Sequence, residues 1–273
     1  MSELVLTRRA MFSSGHRYWF DRLSEADNRA LFGSWASPFS HGHNYILDVS
    51  VGGSIDERTG MVVNIKEIDR LIRAAVLAEF DGRSINDEIE HFREHAPTLE
   101  NIASYIWSRL DGLPPSVRLR SLRLEEMPTL WVELDGADQS MKISRSYEFA
   151  ASHRLHSPAL SDAENIEVFG KCNNPAGHGH NYVVEVTVSG DPDPKTGMAV
   201  NLEELDRVVQ REVLDRYDHR NLSEDLPEFR GRVPTSEVVA QEIWRRLESA
   251  APGTLERVRL HETARNTFEV SRD

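Results

Sequence analysis

Two halves of this chain can be laid on each other with one displacement. His41-Gly-His-Asn-Tyr45 returns as His178-Gly-His-Asn-Tyr182, 137 positions later, and Phe12-Ser-Ser-Gly-His16 returns as Phe149-Ala-Ala-Ser-His153 at the same distance. Gly60-Met-Val-Val-Asn64 pairs with Gly197-Met-Ala-Val-Asn201, Pro97-Thr-Leu-Glu100 with Pro234-Thr-Ser-Glu237, and Trp107 with Trp244. Only toward the end does the register slip by one, where Glu126 answers Glu262. A period this long is the duplication of a whole domain, so the chain must fold one architecture twice. Its 273 residues suit two domains of ordinary size, roughly 100–200 residues each. The polar stretch Asp135-Gly-Ala-Asp-Gln-Ser140 is the natural junction, which sets the expected domains at 1–137 and 138–273.

Each half reads as ββααββ. A first strand leads into Phe-x-x-x-His-Arg, and a second follows His-Gly-His. In the first half Leu47, Val49 and Val51 alternate with Asp48 and Ser50, the mark of a sheet with one buried face. Asn64 and Asn201 stand as N-caps, with Glu67 and Glu204 placed to close capping boxes. These helices run to about Phe80 and Tyr217. Second helices start at Pro97-Thr98 and Pro234-Thr235 and carry Trp107 or Trp244 into the core. Two short strands then close each half, from about Arg118 and Arg257. The expected fold class is α+β: two tandem domains, each an antiparallel four-stranded sheet with two helices on one face.

Composition narrows the chemistry. A formal charge of -13 disfavours nucleic acid as a partner, because phosphates meet a repelling average field. It leaves room for a small anionic ligand held by local cations. No apolar run approaches the ~20 residues of a membrane span, and the first residues lack the apolar core of a signal peptide. One cysteine rules out an internal disulfide framework and fits a reducing compartment, so the expected location is cytoplasmic.

The stretch from Phe169 to Tyr182 concentrates the reactive residue types. Cys172 stands six residues before His178 and eight before His180, with the turn-forming Asn173-Asn-Pro-Ala-Gly177 between them. A strand beginning near His178 sends both imidazoles to one face. With His153 they make three neutral nitrogen donors, a set that leaves a fourth position on Zn²⁺ open for water or substrate. An isolated His-Gly-His is also what two ordinary strand histidines look like. The trio occurs in both halves, the other copy being His16, His41 and His43, although a duplicated chain inherits its second copy. Cys172 reads either as a small buried hydrophobe or, beside Lys171 in a polar loop, as a partly exposed thiol of lowered pKa. Asp218 next to His219 either makes a proton shuttle or ends a helix, where histidine suits the macrodipole.

The second half resembles the 6-pyruvoyl-tetrahydropterin synthase and 6-carboxytetrahydropterin synthase family, a branch of the T-fold superfamily. The matching pieces are Phe149-x-x-x-His-Arg-Leu155, Cys172-Asn-Asn-Pro-x-Gly-His-Gly-His-Asn-Tyr182, Asp218-His-x-Asn-Leu222, Pro234-Thr-Ser-Glu237 and His261-Glu-Thr263. Weaker versions span the first half. The resemblance implies two tandem T-fold domains, with zinc on His153, His178 and His180. It implies Cys172 as catalytic cysteine, Asp218 and His219 as its relay, and Glu262 as the pterin-anchoring carboxylate. Thr235, Ser236 and Glu237 would hold the pterin edge, where a carboxylate can accept two parallel hydrogen bonds. The implied reaction turns 7,8-dihydroneopterin triphosphate into 6-pyruvoyl-tetrahydropterin with loss of triphosphate. The redox change is internal to the substrate, and no Gly-x-Gly-x-x-Gly fingerprint suggests a nicotinamide or flavin. Two other readings stand beside it. One is the carboxy-forming enzyme of the deazapurine (queuosine) route, which releases acetaldehyde and triphosphate from the same substrate; the long Cys-to-His spacing favours the pyruvoyl reaction. The other is a non-catalytic zinc- or pterin-binding protein, against which the intact Cys172, Asp218, His219 and Glu262 speak.

The first half departs from the pattern at two positions. Trp35 stands where the cysteine would be, and Gly82 where the relay histidine would be. This half is therefore expected to have lost catalysis and to serve assembly, with His16, His41 and His43 as a second possible metal site. The resemblance also implies a homo-oligomer, a trimer acting as a pseudo-hexamer or larger, with active sites between neighbours.

Overall fold

A computed structural model describes residues 4–138 and 140–272. It contains two compact units: one holds Met1–Ser144 and Ser189–Glu203, the other Arg145–Val188 and Glu204–Asp273.

In the first unit, β1 (Leu4–His16) pairs antiparallel with β2 (His41–Gly53), so that His16 faces His41 and Ser14 faces His43. A two-residue strand β3 (Arg83–Ser84) adds in parallel to the end of β1. On the other side β2 pairs with β4 (Val117–Met127), and β4 with β5 (Leu130–Asp135). Ser50 pairs with Ser121 but Val51 with Leu119, so Arg120 is taken up in a β-bulge. The helical stretch after Asn64 consists of an α segment (Ile65–Ile72), a wide π turn (Arg73–Leu77) and a last α turn (Ala78–Phe80). Asn64 caps it by accepting the Lys66 N–H, while Phe12 stacks on Tyr45 at 5.0 Å beneath it. Thr98 caps the helix Leu99–Arg109, whose Leu99, Ile102, Ala103 and Ile106 are buried at helical spacing.

The second unit repeats this plan. β6 (Met141–His153) and β7 (His178–Ser189) take the places of β1 and β2, and β9 (Thr254–Thr263) and β10 (Asn266–Ser271) those of β4 and β5. The short β8 (Arg220–Asn221) lies parallel to β6. Helices Leu202–Val209 and Ser236–Glu248 follow, the first again running through a π turn at Gln210–Leu214. Phe149 stacks on Tyr182 at 5.0 Å, as their counterparts do.

Two expectations are corrected. Separate four-stranded sheets do not form: the strands hydrogen-bond in one path, β10-β9-β7-β6-β5-β4-β2-β1-β3, with β8 on β6, giving ten strands. The continuity follows from β6, whose first residues, Met141–Ser144, belong to the first unit beside β5. The ββααββ order also omits a helix after the first strand of each repeat, Glu25–Phe32 and Asp162–Phe169. These helices carry no apolar stripe, so periodicity is silent there. Their starts are nonetheless written in the sequence: Ser24 caps the first, and Ser161 with Glu164 closes a full capping box on the second. Among the described residues no helix is long and apolar enough to cross a membrane.

Candidate metal and catalytic site

β6 ends on His153 and β7 begins on His178, so the adjacent strands deliver three imidazoles to one point. A nitrogen of each of His153, His178 and His180 lies within 4.8 Å of the others. His153 Nδ1–H donates to the Pro234 carbonyl at 2.9 Å. A carbonyl can only accept, so the proton sits on Nδ1 and the Nε2 lone pair faces inward, 3.3 Å from His178 Nε2. Burial lowers the His153 pKa, the Pro234 bond opposing it and the two neighbouring imidazoles adding to it. Burial and His180 lower that of His178 as well. His180 Nε2 is buried without a hydrogen-bond partner among the described residues. Three imidazoles whose nitrogens converge in this way could hold a divalent cation.

Glu262 stands against this cluster, its Oε1 3.8 Å from His180 Nε2 and 3.9 Å from His153 Nε2. It is the residue skipped between the pairs Asn266↔Thr263 and Thr267↔His261, so a bulge aims its carboxylate. Ser236 Oγ donates to Oε1 at 2.7 Å and Asn266 Nδ2 to Oε2 at 3.1 Å. Burial works to raise the Glu262 pKa; these two bonds and the imidazoles outweigh it and leave it lowered. Ser236 therefore holds a carboxylate rather than pointing free. Thr235 caps the helix, accepting the Val238 N–H, and Glu237 is exposed in its first turn. Neither Asn266 nor the Pro234 carbonyl is legible as a site element in the sequence. The bulge that brings Asn266 to Glu262 has no signal in the sequence.

Cys172 lies partly buried in a short 3₁₀ turn, Gly170–Asn173, that follows the helix Asp162–Phe169. Its carbonyl accepts the Leu155 N–H at 2.8 Å, and Arg154 Nε donates to the Asn173 carbonyl at 3.2 Å, so the loop is braced on the end of β6. Asp218 and His219 do pair, Oδ2 to Nδ1 at 2.8 Å, and Asp218 Oδ1 accepts the Ala150 N–H. That backbone bond first, and His219 second, lower the Asp218 pKa. His219 is 84 % exposed and has φ +57°, making it the one left-handed non-glycine among the described residues. It shares a cleft of about 510 Å³ with His180 and Arg220.

The first unit keeps half of this machinery. His16, His41 and His43 cluster within the same 4.8 Å limit, and His16 Nδ1–H donates to the Pro97 carbonyl at 2.9 Å. Burial lowers His16 to about 3 and His43 to about 4. Glu126, again at a bulge, lies 3.6 Å from His43 Nε2 and 3.8 Å from His16 Nε2. Trp35 packs on Tyr18 in place of a thiol, and Gly82 has φ +73° in place of His219.

A profile described as 6-pyruvoyl tetrahydropterin synthase matches residues 5–137 and, a second time, 142–273. A 6-pyruvoyl tetrahydrobiopterin synthase of Homo sapiens is 49% identical over 126 residues, 46% of this chain and 87% of that protein. A 6-carboxy-5,6,7,8-tetrahydropterin synthase of Rickettsia conorii is 25% identical over 146 residues, 47% of this chain and 97% of its own. The solved 6-pyruvoyl tetrahydropterin synthase of Caenorhabditis elegans, 45% identical, covers 48% of this chain and 95% of its own, with a TM-score of 0.46. The chain belongs to the 6-pyruvoyl tetrahydropterin synthase family and carries that family's domain twice.

Proposed function

We propose that the second repeat, residues 138–273, is a lyase that converts 7,8-dihydroneopterin triphosphate to 6-pyruvoyl-tetrahydropterin with release of triphosphate. The observation that carries this reading is the asymmetry between repeats: only the second adds Cys172 and the Asp218–His219 pair to a histidine triad. The human relative's name supports the pyruvoyl product.

His153, His178 and His180 would hold the metal, and an all-imidazole set with no thiolate suits Zn²⁺. Bound there, Zn²⁺ would polarise the side-chain hydroxyl oxygens of the substrate and acidify the neighbouring C–H bonds. Cys172 Sγ, as thiolate, moves protons at the side-chain carbons. His219, oriented by Asp218, serves as the second acid or base at the open cleft it shares with His180. Glu262, fixed by Ser236 and Asn266, and Glu237 with Thr235 accept hydrogen bonds from the pterin amino and ring N–H groups. Ring reduction balances side-chain oxidation, so no external oxidant or reductant is needed. Arg220 and Lys171 supply positive charge for the triphosphate.

The first repeat, 1–137, holds metal on His16, His41 and His43 but performs no proton transfer, and serves assembly. Three chains supply the six domains of a closed homo-oligomer. The lone cysteine fits a reaction in the cytoplasm. The carboxy-forming reaction is the second reading, supported by the more distant Rickettsia relative. Mass spectrometry of anaerobic products from the zinc-loaded protein separates the readings. A 6-pyruvoyl product that vanishes in Cys172→Ala supports the first, a 6-carboxy product with acetaldehyde supports the second, and no turnover leaves a binding protein.

A further inference from the structure

Arg17 and Arg154 stand at equivalent places in the two repeats, and their backbones are pinned alike. The Arg17 N–H donates to Asn86 Oδ1 at 2.8 Å, and its carbonyl accepts from Asn86 Nδ2 at 3.0 Å. Ser223 fills the place of Asn86 in the second repeat: the Arg154 N–H donates to Ser223 Oγ at 2.9 Å, and Ser223 Oγ donates to the Arg154 carbonyl at 3.2 Å. The helices Glu25–Phe32 and Asp162–Phe169 are also held in one way. Asn28 Oδ1 accepts the Phe20 N–H and Asn165 Oδ1 the Ser157 N–H, each at 2.7 Å, and both asparagines are buried.

The arginine side chains nevertheless part company. Arg17 forms ion pairs with Asp21 and Asp87, both at 3.0 Å. The second repeat has Pro158 in place of Asp21 and the exposed Glu224 in place of Asp87, and Arg154 makes no ion pair among the described residues. A guanidinium carries five N–H donors that need acceptors. Arg154 turns them onto the loop of the cysteine: Nε donates to the Asn173 carbonyl at 3.2 Å, and Nη2 lies 3.3 Å from His156 Nδ1. The same ring nitrogen lies 3.0 Å from Asn173 Oδ1. Asn173 is thereby held by main chain and side chain at once, and it ends the 3₁₀ turn Gly170–Asn173 that carries Cys172. Between the two gripping residues, the Leu155 N–H donates to the Cys172 carbonyl at 2.8 Å. Beyond the turn, the bonds of Asn174 and Gly177 run to each other, which shapes the loop without tying it to β6. The first repeat has Trp19 for His156 and Ala36 for Asn173, so the side-chain half of this grip cannot form there.

We infer that Arg154 and His156 are positioning residues: through Asn173 they hold the Cys172 turn in one place beside the His153, His178 and His180 triad. The Leu155 bond is made by the main chain and survives substitution at 154 or 156, so loss of the grip loosens the turn without unfolding it. The consequence for turnover rests on the lyase reading; the consequence for the thiol does not.

Cys172 is the only cysteine of the chain, so its alkylation by iodoacetamide, followed by mass spectrometry, reports this turn alone. The full-length, zinc-loaded protein is compared with Arg154→Met and His156→Phe, circular dichroism and metal content showing each folded and loaded; either variant suffices where the other does not fold. Alkylation should quicken about fivefold in each, the change in open population that one ordinary hydrogen bond accounts for. The double variant should exceed either single by less than about twofold, because both act through Asn173. With 7,8-dihydroneopterin triphosphate, kcat should fall about tenfold or more while KM stays within about twofold. Arg17→Met, at the equivalent place in the first repeat, should leave the alkylation of Cys172 as in wild type. Unchanged alkylation in both variants overturns the inference. So does slower alkylation, which makes Arg154 a charge that activates the thiol, and so does a raised KM at unchanged kcat, which makes it a ligand of the triphosphate. A wild type without turnover removes the lyase reading, and alkylation alone then decides the grip.

Discussion

Replacing Glu100 by glutamine should stabilise this protein, and only at high pH. The carboxyl of Glu100 is 1 % exposed, one oxygen accepting the Ala199 N–H at 3.0 Å and the other without a partner. Burial raises its pKa from 4.5 to about 7, the backbone bonds opposing. In the unfolded chain the group ionises near 4.5. Below that both states are protonated and the burial costs nothing through ionisation. Between 4.5 and 7 the unfolded state loses its proton first, so stability falls as pH rises. Above 7 the full difference applies, about 3 kcal/mol at 1.36 kcal/mol per pKa step. The glutamine side chain keeps an oxygen for the Ala199 N–H and never ionises. Urea unfolding of metal-free wild type and Glu100→Gln from about pH 4.5 to 9 measures the difference, in which other titrations cancel. It should grow from near zero to roughly 2–3 kcal/mol in favour of the variant. A difference that stays flat across the series refutes the assignment of a buried, costly carboxylate.

His219→Gly should abolish turnover yet raise stability by roughly 0.5–1 kcal/mol, since it relieves a left-handed φ that the first repeat gives to glycine; thermal unfolding and product assay read both. Ser236→Ala removes the 2.7 Å bond to Glu262, worth about 1.5–3 kcal/mol for a charged acceptor, and should lower kcat/KM tenfold or more with the metal content unchanged. Elemental analysis should find two metal ions per chain in the wild type and one in either His41→Ala or His178→Ala, with product formation surviving only in the former. Chelation should lower the midpoint of thermal unfolding of the wild type more than that of either variant.

Much of this was legible because duplication supplies an internal alignment. The pairs His16–His153, Trp107–Trp244 and Phe12–Phe149 locate strands, helices and core without any homologue. The strand period correctly puts His178 and His180 on one face. Three features stayed hidden for physical reasons. The helices Glu25–Phe32 and Asp162–Phe169 present no apolar stripe, so only their caps announce them. The bulges at Glu126 and Glu262 depend on cross-strand pairing, which the alternation of residues along one strand does not record. Sheet continuity through β6 depends on which strand lies beside β5, and alternation of apolar residues is the same for any neighbour.

The backbone at Gly82 and His219 turns left-handed in both repeats, though only one carries a side chain there. Passing from histidine to glycine at this bend runs downhill in conformational energy, and the reverse runs uphill by about 1 kcal/mol before any function returns. A repeat that has shed its imidazole thus sits behind a thermodynamic ratchet. Any mutant that puts a histidine back in place of Gly82 loses stability first, and Trp35, already packed on Tyr18, would have to be dislodged as well. The asymmetry between the two halves is therefore self-sustaining, a division of labour locked by the fold that made it possible.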